Sequence, residues 1–342
     1  MEEVYLEKGD LLDEKGQINQ AGYAFSLLKK YNKEKIKGLK HIKLKERNYY
    51  IFLNETNGVC VTISNLTYAA MLSVTYLDFT INKYISKTFI KLLPNKRNFK
   101  LPLNDTAKIN IKTKNYIFSV IPGDTESSLY VSIPSFADGK RFIINLGFKK
   151  NTNNSIVTVI PFKKPGDFYY NEKSNLLVGE GNLQFGNKII NFPLSYGTLD
   201  WGRGVWPYKS TWYWSNLNVK TPNGDLLGFN LGYGLGDNSK GTENTLFFND
   251  EVYKLKDVEF IFTMDNKNKI DYSKEIHLKS KSGDIDLTFT PLFNRHDHIN
   301  LLIIESNQNQ VFGRFNGKIK ANNQEFEFNN YLGFLEKVIN KY

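Results

Sequence analysis

The chain has 342 residues, enough for a sizeable core and for two domains of about 150 to 180 residues each. Hydrophobic residues make up 41% and charged residues 23% of the sequence, as in soluble globular proteins. The net charge of +10 is spread over scattered lysines, with no arginine-rich stripe or recognition helix, so we expect no nucleic-acid partner.

Cysteine usage and the termini restrict the class of protein further. The single cysteine, Cys60, excludes an intramolecular disulfide framework. The N-terminus is acidic and lacks the apolar segment of a signal peptide, and no apolar run approaches the ~20 residues of a membrane-spanning helix. We therefore expect a cytoplasmic protein without a transmembrane segment. No pattern in the sequence indicates an oligomeric state.

Residues 1–164 are predicted to form a β-barrel-like domain. Asn19 is a suitable N-cap for a short helix over Gln20–Tyr31. From Lys40 the apolar period changes to two, and residues 49–54 and 59–64 predict a hairpin whose turn contains Asn57-Gly58. More short strands are predicted at Tyr68–Phe79, Ile81–Leu93, Ala107–Thr113, Tyr116–Ile121, Leu129–Ile133, Phe142–Leu146 and Val157–Phe162.

The turn residues Lys164-Pro-Gly-Asp167 predict the boundary to a second domain over residues 165–342. Short strands recur there until a predicted helix over Gly333–Tyr342. The predicted strands are Gly181–Phe185, Lys188–Phe192, Trp212–Leu217, Leu226–Leu231, Asn244–Phe248, Glu251–Leu255, Val258–Phe262, Glu275–Lys279, Ile285–Thr290, Leu301–Glu305, Gln310–Ile319 and Gln324–Phe328. This pattern is typical of sandwiches and barrels. We therefore predict an all-β protein of two antiparallel β-barrel domains packed side by side.

The most informative stretch of the second half is residues 200–216. It contains every tryptophan of the chain, namely Trp201, Trp206, Trp212 and Trp214. The same stretch carries a carboxylate, Asp200, a guanidinium between two glycines, Arg203, and two tyrosines, Tyr208 and Tyr213. Charges among aromatic rings lose water, which shifts their pKa and strengthens their hydrogen bonds. The stretch therefore predicts the lining of a pocket. The alternative is that the rings are ordinary core residues of a sheet.

A second carboxylate, Glu243, follows a glycine-rich strand. Gly232-Tyr-Gly-Leu-Gly236 is followed by the loop residues Asp237–Gly241 instead of the helix that a dinucleotide loop requires, so we expect no such cofactor. Glycines in a strand indicate that another group approaches the backbone closely. Asp200 and Glu243 can form an acid and base pair, one protonated and one ionised. Arg203 can keep one of them ionised or bind an anionic group of the ligand. The alternative for Glu243 is a solvated hairpin residue.

Two histidines, His296 and His298, share one face of a predicted strand and are the remaining metal-ligand candidates. The sequence offers no evident third ligand beside them, so we interpret them as surface residues. We expect neither a metal nor another cofactor.

Several segments together resemble a bacterial family known as domain of unknown function 2804. They are Leu66–Phe79, Leu199–Tyr208 with Trp212 and Trp214, Gly241–Asn244, Leu287–Pro291 and Gln310–Gly313. The resemblance implies a calycin, or lipocalin-like, architecture similar to that of carotenoid 1,2-hydratases and tocopherol cyclase. In those relatives an acid protonates an alkene within an aromatic pocket, and Asp200 is the residue here that can play that part. Tyr68, Asp78 and Asn244 lie in the shared segments and are candidate substrate-binding residues.

These observations lead to a first functional hypothesis, an enzyme for acid-catalysed hydration, isomerisation or cyclisation of a largely apolar small molecule. Asp200 donates the proton, Glu243 is a second acid, base or orienting group, and the tryptophan faces stabilise positive charge. The first alternative is a non-catalytic, lipocalin-like binder of a hydrophobic ligand. The second is a carbohydrate-active protein that uses Asp200 and Glu243.

Overall fold

The computed structural model describes residues 2–94, 99–151, 153–301 and 304–341, and these residues form β strands almost throughout. Two short 3-10 helices lie at Lys33–Lys35 and Gly38–Lys43. The strands of the first part are β1 (Gly9–Asp10), β2 (Gly22–Ala24), β3 (Lys29–Lys30), β4 (Leu44–Leu53), β5 (Asn57–Asn65), β6 (Ala69–Asp78), β7 (Lys83–Leu92), β8 (Ile109–Lys112), β9 (Ile117–Ile121), β10 (Ser127–Ala137), β11 (Lys140–Lys149), β12 (Ser155–Pro161), β13 (Phe168–Phe185) and β14 (Lys188–Val205).

Twelve of these strands, counted over the described residues, form one curled sheet in the order β7-β6-β5-β4-β14-β13-β11-β10-β9-β8. Strand β12 pairs with β13 and with β2, whereas β1 and β3 form a separate parallel pair. Successive side chains of a strand point to opposite faces. Tyr50 and Phe52 of β4 therefore enter the core of this domain, whereas Tyr49 and Ile51 pack against the second domain.

The second part of the described chain forms an antiparallel sheet in the order β18-β17-β16-β15-β23-β22-β21-β20-β19. Its strands are β15 (Lys209–Lys220), β16 (Leu226–Tyr233), β17 (Thr245–Phe248), β18 (Glu251–Lys254), β19 (Glu259–Ile261), β20 (Ile276–Lys279), β21 (Ile285–Leu301), β22 (Ile304–Ala321) and β23 (Gln324–Lys341). Phe229, Phe289 and Phe315 are fully buried in its own core. Two curled half-barrel sheets side by side confirm the predicted all-β fold.

A third cluster of buried side chains joins the two sheets. Tyr49 and Leu77 come from the first sheet, and Trp214, Phe312 and Phe334 from the second. The edge-to-face contact of Trp214 with Tyr49 crosses this interface at a centroid distance of 6.1 Å, and Phe334 packs edge to face against Trp214 within the second sheet at 4.9 Å. Large aromatic rings contribute most of the buried apolar area at such contacts. Three of the four tryptophans of the predicted stretch, Trp206, Trp212 and Trp214, therefore lie where the domains meet.

The helix predicted over Gln20–Tyr31 is wrong. Strand β2 pairs with β12, and β3 pairs with β1, so tertiary partners supply the backbone hydrogen bonds that a helix would form internally. Tyr5, Tyr23 and Phe25 pack edge to face beside this pairing. Tertiary pairing overrides local propensity in so short a segment.

The helix predicted over Gly333–Tyr342 is also wrong for its described part, residues 333–341. These residues belong to β23, which is hydrogen-bonded to β22 and β15 along its length. Phe334, Glu336 and Val338 are buried at a spacing of two residues, as in a strand with one face against the other domain.

The division between the sheets lies at residues 206–208. Strands β12 and β13, on either side of Lys164–Asp167, are neighbours in the first sheet, so this stretch is a hairpin connection. Strands β13 and β14 both belong to the first sheet although they follow residue 164. The division of the chain into one domain of residues 1–164 and another of residues 165–342 stays a prediction.

The hairpin predicted near residue 57 is present, with a different turn. Strand β5 already begins at Asn57, so Asn57 and Gly58 are strand residues. The side chain of Asn54 organises the turn, because its Oδ1 accepts hydrogen bonds from the backbone N–H groups of Thr56 and Asn57.

None of the described helices has the length and apolar character needed to cross a membrane.

Candidate functional site

Three neighbouring strands of the first sheet present charged side chains towards the second domain. The register places Asp200 of β14 beside Tyr49 of β4 and beside Lys173 of β13. Two residues further along β14, Gly202 is opposite Arg47 of β4. Residues directly opposite each other in an antiparallel pair share a face. Because side chains alternate along each strand, Arg47, Tyr49, Lys173 and Asp200 all lie on the face that meets the second domain.

Glycines make room for these side chains. A Cβ added to Gly202 would lie 3.0 Å from the Tyr169 hydroxyl oxygen, closer than ordinary packing allows. A Cβ on Gly204 would overlap the Phe168 carbonyl oxygen and lie 3.0 Å from Trp206 Nε1. The glycines on either side of Arg203 therefore leave the backbone of β14 open for the side chains of Tyr169 and Trp206 to pack against it.

The second sheet supplies the opposite wall. Trp212 and Trp214 of β15 and Glu336 of β23 share the face that meets the first domain, and Trp214 is opposite Glu336 in the register. Glu336 accepts hydrogen bonds from Trp212 Nε1 at 3.0 Å, Gln308 Nε2 at 3.0 Å and Gln310 Nε2 at 3.3 Å. Neutral donors thus satisfy a carboxylate that is 2% exposed.

A cavity of about 100 Å³ lies between these walls. Its lining includes Lys45, Arg47, Tyr49, Ala69, Met71, Ile90, Tyr169, Gly202, Trp206, Trp212, Trp214, Arg295, Glu336 and Val338. A second cavity of about 20 Å³ lies beside it and is lined in part by Lys173, Gly232 and Glu243. Arg47, Tyr169, Trp206 and Trp212 line both, so these four side chains separate the two chambers.

Asp200 is fully buried and ionised. Burial by itself raises its pKa, but Lys173 and Arg47 together lower the pKa below the ordinary value, and hydrogen bonds from Arg47 and Tyr169 act in the same direction. Its Oδ2 is bound by Arg47 Nη2, and its Oδ1 lies 3.4 Å from the Tyr169 hydroxyl and 3.9 Å from Lys173 Nζ. A carboxylate held this way is a poor proton donor.

Glu243 has the opposite electrostatic environment. Desolvation raises its pKa above the ordinary value and outweighs the effect of Lys173, and the charge of Asp200 acts in the same direction as desolvation. Lys173 Nζ lies 3.4 Å from Glu243 Oε2 and 3.8 Å from the centroid of the Trp214 ring. One ammonium thus lies between two carboxylates whose pKa values shift in opposite directions, which is the arrangement that separates an acid from a base.

Lys45 is the third basic residue of this face and is 5% exposed. Its Nζ donates to the Tyr68 hydroxyl at 3.0 Å and to the Leu66 carbonyl at 3.3 Å. Burial, and to a smaller extent the charge of Lys43, lowers the pKa of Lys45 to about 7. The charge of the larger cavity therefore changes near neutral pH.

Trp201 and Arg203 lie away from both cavities. They alternate with Asp200 and Gly202 along β14, so their side chains enter the core of the first domain. The Arg203 guanidinium lies 4.2 Å from the centroid of Trp201 and donates to Asn48 Oδ1 and to the backbone carbonyls of Arg47, Gly202 and Pro102. The predicted contact of Arg203 with a catalytic carboxylate or a ligand in these cavities is therefore wrong, because the strand period directs it to the opposite face.

The other predicted substrate-binding residues have varied positions. Tyr68 contacts Lys45 at the wall of the larger cavity. Asn244 is buried beside Glu243, where its Oδ1 accepts from Gly232 N and its Nδ2 donates to Lys256 O. Asp78 instead binds the backbone and side chain of Thr80 in a turn after β6, and Tyr208 is 51% exposed in the connection between the sheets.

The basic residues of the site were not predicted from the sequence. Lys45, Arg47 and Tyr49 alternate along β4, and Tyr169 and Lys173 alternate along β13. A period of two in polar residues such as Lys45-Glu-Arg47-Asn-Tyr49 is the signal that identifies one face of a strand. Glu336 was missed because its segment was interpreted as a helix.

The glycine-rich strand is explained by Glu243. A Cβ on Gly232 would overlap Glu243 Oε1, so this carboxylate is the group that approaches the β16 backbone. His296 and His298 lie on β21 with ring centroids 6.4 Å apart. The described part of the chain contains no group of three His, Cys, Asp or Glu residues arranged to hold a metal ion.

Comparisons with known proteins bear on the fold and the family. A crystal structure of a Nitrosomonas europaea protein provisionally named AttH is 12% identical, covers 86% of this chain and 92% of its own, and has a TM-score of 0.54. This likeness shows the fold, two calycin-like β-barrel domains packed side by side. Kievitone hydratase from Nectria haematococca is 12% identical over 90% of this chain and 93% of its own, with a TM-score of 0.45. The crystal structure of CghA with Sch210972 is 7% identical, covers 87% of this chain and 88% of its own, and has a TM-score of 0.42.

None of the curated proteins matches this sequence. The family model described as "Domain of unknown function (DUF2804)" matches residues 2–342. That match spans both sheets and both cavities, and the chain therefore belongs to the DUF2804 family.

Proposed function

We propose that this protein is a cofactor-independent enzyme that protonates a largely apolar small molecule and so catalyses its hydration, isomerisation or cyclisation. The observation that carries the proposal is the arrangement of Asp200, Lys173 and Glu243 at the chambers between the domains. The buried carboxylate of Asp200 and the partly buried carboxylate of Glu243 have oppositely shifted pKa values and are linked by one ammonium, which suits general acid and base chemistry.

Glu243 is the proton donor in this proposal, and Asp200 is the ionised partner. The raised pKa of Glu243 keeps a larger fraction of it protonated, whereas Asp200 is held ionised by Arg47 and Lys173. This exchanges the roles expected from the sequence, where Asp200 was the donor. Asp200 then acts by fixing Lys173, which in turn positions Glu243 at 3.4 Å.

The proposed step is proton transfer from Glu243 to a carbon of a double bond. The electron pair of the double bond forms the new C–H bond and leaves a cation on the neighbouring carbon. Water then adds to that cation, or a proton is lost elsewhere, or a second double bond closes a ring. The ring face of Trp206, which lines both chambers, can stabilise the cation. Glu243 recovers its proton from the step that ends the reaction or from water.

A non-catalytic binder of a hydrophobic ligand is the alternative that uses the same cavity. The lining of Trp206, Trp212, Met71 and Val338 supports an apolar ligand in either case. The location of both cavities between the two sheets also favours an apolar ligand over a sugar, which usually stacks in an open cleft.

Solvent labelling separates the two functions. The purified protein is first examined by native mass spectrometry for a co-purifying ligand, with Trp206→Ala beside the wild type. It is then incubated in D₂O with a small-molecule extract of its host. An enzyme of this kind places one deuterium on carbon in its product, whereas a binder places none.

Variants of the two carboxylates identify the residue that donates the proton. Glu243→Gln should abolish the label, whereas Glu327→Gln, which removes an exposed carboxylate from β23, should keep it. Asp200→Asn should retain the ligand and lower the labelling rate at least tenfold. Unchanged labelling in both Glu243→Gln and Asp200→Asn would overturn the catalytic proposal, and a ligand that binds without acquiring any label would support the binder.

A further inference from the structure

The larger cavity has a polar wall rich in hydrogen-bond donors. Its charged groups are three basic side chains, Lys45, Arg47 and Arg295, and one carboxylate, Glu336. The Glu336 carboxylate already accepts three hydrogen bonds from neutral donors. The indole N–H of Trp206 is buried and has no acceptor among the described residues. Such a wall is complementary to a ligand that brings acceptors of its own.

Among these donors, Arg295 is the strongest indication that the ligand is an anion. Its side chain is 7% exposed and lines the cavity. Nη1 donates to Thr75 Oγ1 at 3.4 Å, a long hydrogen bond. Nε lies 3.1 Å from Asp297 Oδ2, but its N–H bond is not directed at an acceptor within the described chain. The Nε–H donor of this buried guanidinium is therefore unused, and a guanidinium is the group that binds a carboxylate in two parallel hydrogen bonds.

Apolar side chains form another part of the lining, which also contains the polar residues Thr62, Ser64, Ser306, Gln308 and Asn340. Ala69, Met71 and Ile90 come from the first domain and Val338 from the second, and the tryptophan rings complete the wall. Burying a ligand's hydrocarbon part against them contributes about 25 cal/mol for each Å² removed from water. The cavity therefore suits an amphipathic molecule with one charged end.

The volume sets the size of that molecule. The cavity holds about 100 Å³, and an apolar cavity of roughly 150 Å³ in another protein accommodates benzene. A single ring or a short chain is therefore the upper limit for a ligand that leaves in place the four side chains that separate the chambers. The proton donor Glu243 lines the neighbouring chamber.

We propose that the larger cavity binds a small monocarboxylate, an aryl or short-chain carboxylic acid, with its carboxylate at Arg295 and its apolar body against the tryptophans. This inference names the substrate class of the proposed enzyme and rests on that proposal for its location. Its test measures binding without turnover, so a failure of catalysis leaves it standing.

Isothermal titration calorimetry with benzoate and benzamide tests the charge requirement in the wild-type protein. The two probes have nearly the same size and differ in charge. Benzoate should bind at least tenfold more tightly than benzamide. Equal affinities, or no binding of benzoate at millimolar concentration, would overturn the proposal. Decanoate should bind at least tenfold more weakly than benzoate because it exceeds the cavity, and an equal affinity would overturn the assignment of size.

Arg295→Met then tests the assigned residue. The variant should lose the preference for benzoate, whereas Arg141→Met, which removes an exposed arginine from β11 and changes the net charge equally, should retain it. A retained preference in Arg295→Met would overturn the role of Arg295. Thermal unfolding establishes that both variants are folded. Should Arg295→Met not fold, Arg295→Lys keeps the charge without the planar fork and should weaken benzoate binding but not benzamide binding.

Discussion

Lys45 provides the sharpest test of the electrostatics of this site. Its pKa falls from 10.5 to about 7 because its ammonium is buried and lies near the charge of Lys43. In the unfolded chain the same side chain stays protonated up to its ordinary pKa. Between these two values the unfolded state binds more protons, so the free energy of unfolding must rise with pH.

The magnitude follows from the size of the shift. Each pH unit in this range contributes about 1.4 kcal/mol per proton. Below pH 7 the folded protein carries the full cost of a buried ammonium, and by pH 9 the folded-state amine is neutral. The contribution of Lys45 therefore changes by about 2 to 3 kcal/mol between pH 7 and 9. The Lys45→Met variant has no such titration, so its stability gain over the wild type should shrink by that amount as the pH rises.

Urea unfolding followed by tryptophan fluorescence at pH 7, 8 and 9 measures this difference. The control is Lys188→Met, which removes an exposed lysine at the start of β14. Comparing each variant with the wild type at every pH cancels the titration of all other groups. A difference for Lys45→Met that varies with pH no more than that for Lys188→Met would refute the reasoning.

Three further predictions concern the carboxylates. Asp200→Asn removes the buried negative charge that pairs with Arg47 and Lys173 and should lower the free energy of unfolding in urea by about 3 to 5 kcal/mol; a loss below about 1 kcal/mol would contradict the assigned pairing. Glu243 has a raised folded-state pKa, so its stabilising contribution is present below its ordinary value of 4.5 and lost as the pH rises through the folded-state value. The stability of Glu243→Gln relative to the wild type should accordingly increase from pH 4.5 to 8, and a constant difference would argue against the shift. Gly232→Ala places a Cβ on the Glu243 carboxylate and should lower deuterium labelling at least tenfold; undiminished labelling would show that proton transfer does not require the observed position of that carboxylate.

Part of the site could be predicted from the sequence because its residues are neighbours in the chain. The stretch from Asp200 to Trp214 concentrates aromatic rings and charge, and it does lie at the junction of two β domains. The glycine-rich strand before Glu243 indicated a close approach to the backbone, and Glu243 makes that approach. Local composition and local spacing are enough for such inferences, because they depend on few residues.

Other parts depended on pairing between distant segments. Residues 20–31 and 333–341 had spacings compatible with helices, yet each segment finds a neighbouring strand that supplies its backbone hydrogen bonds. Short apolar segments do not distinguish a helix from a strand, and the partner decides.

The sequence by itself determined the fold class, the family resemblance and the position of the aromatic stretch. Only the tertiary structure decided which of those residues face the cavity. Asp200 and Trp201 are adjacent in the chain but point to opposite faces of β14, because successive side chains of a strand alternate. Arg47 and Lys173 reach Asp200 from strands that the register of the sheet brings alongside β14. The charge state of each carboxylate depends on those partners and on burial, and both exist only once the two sheets have packed together.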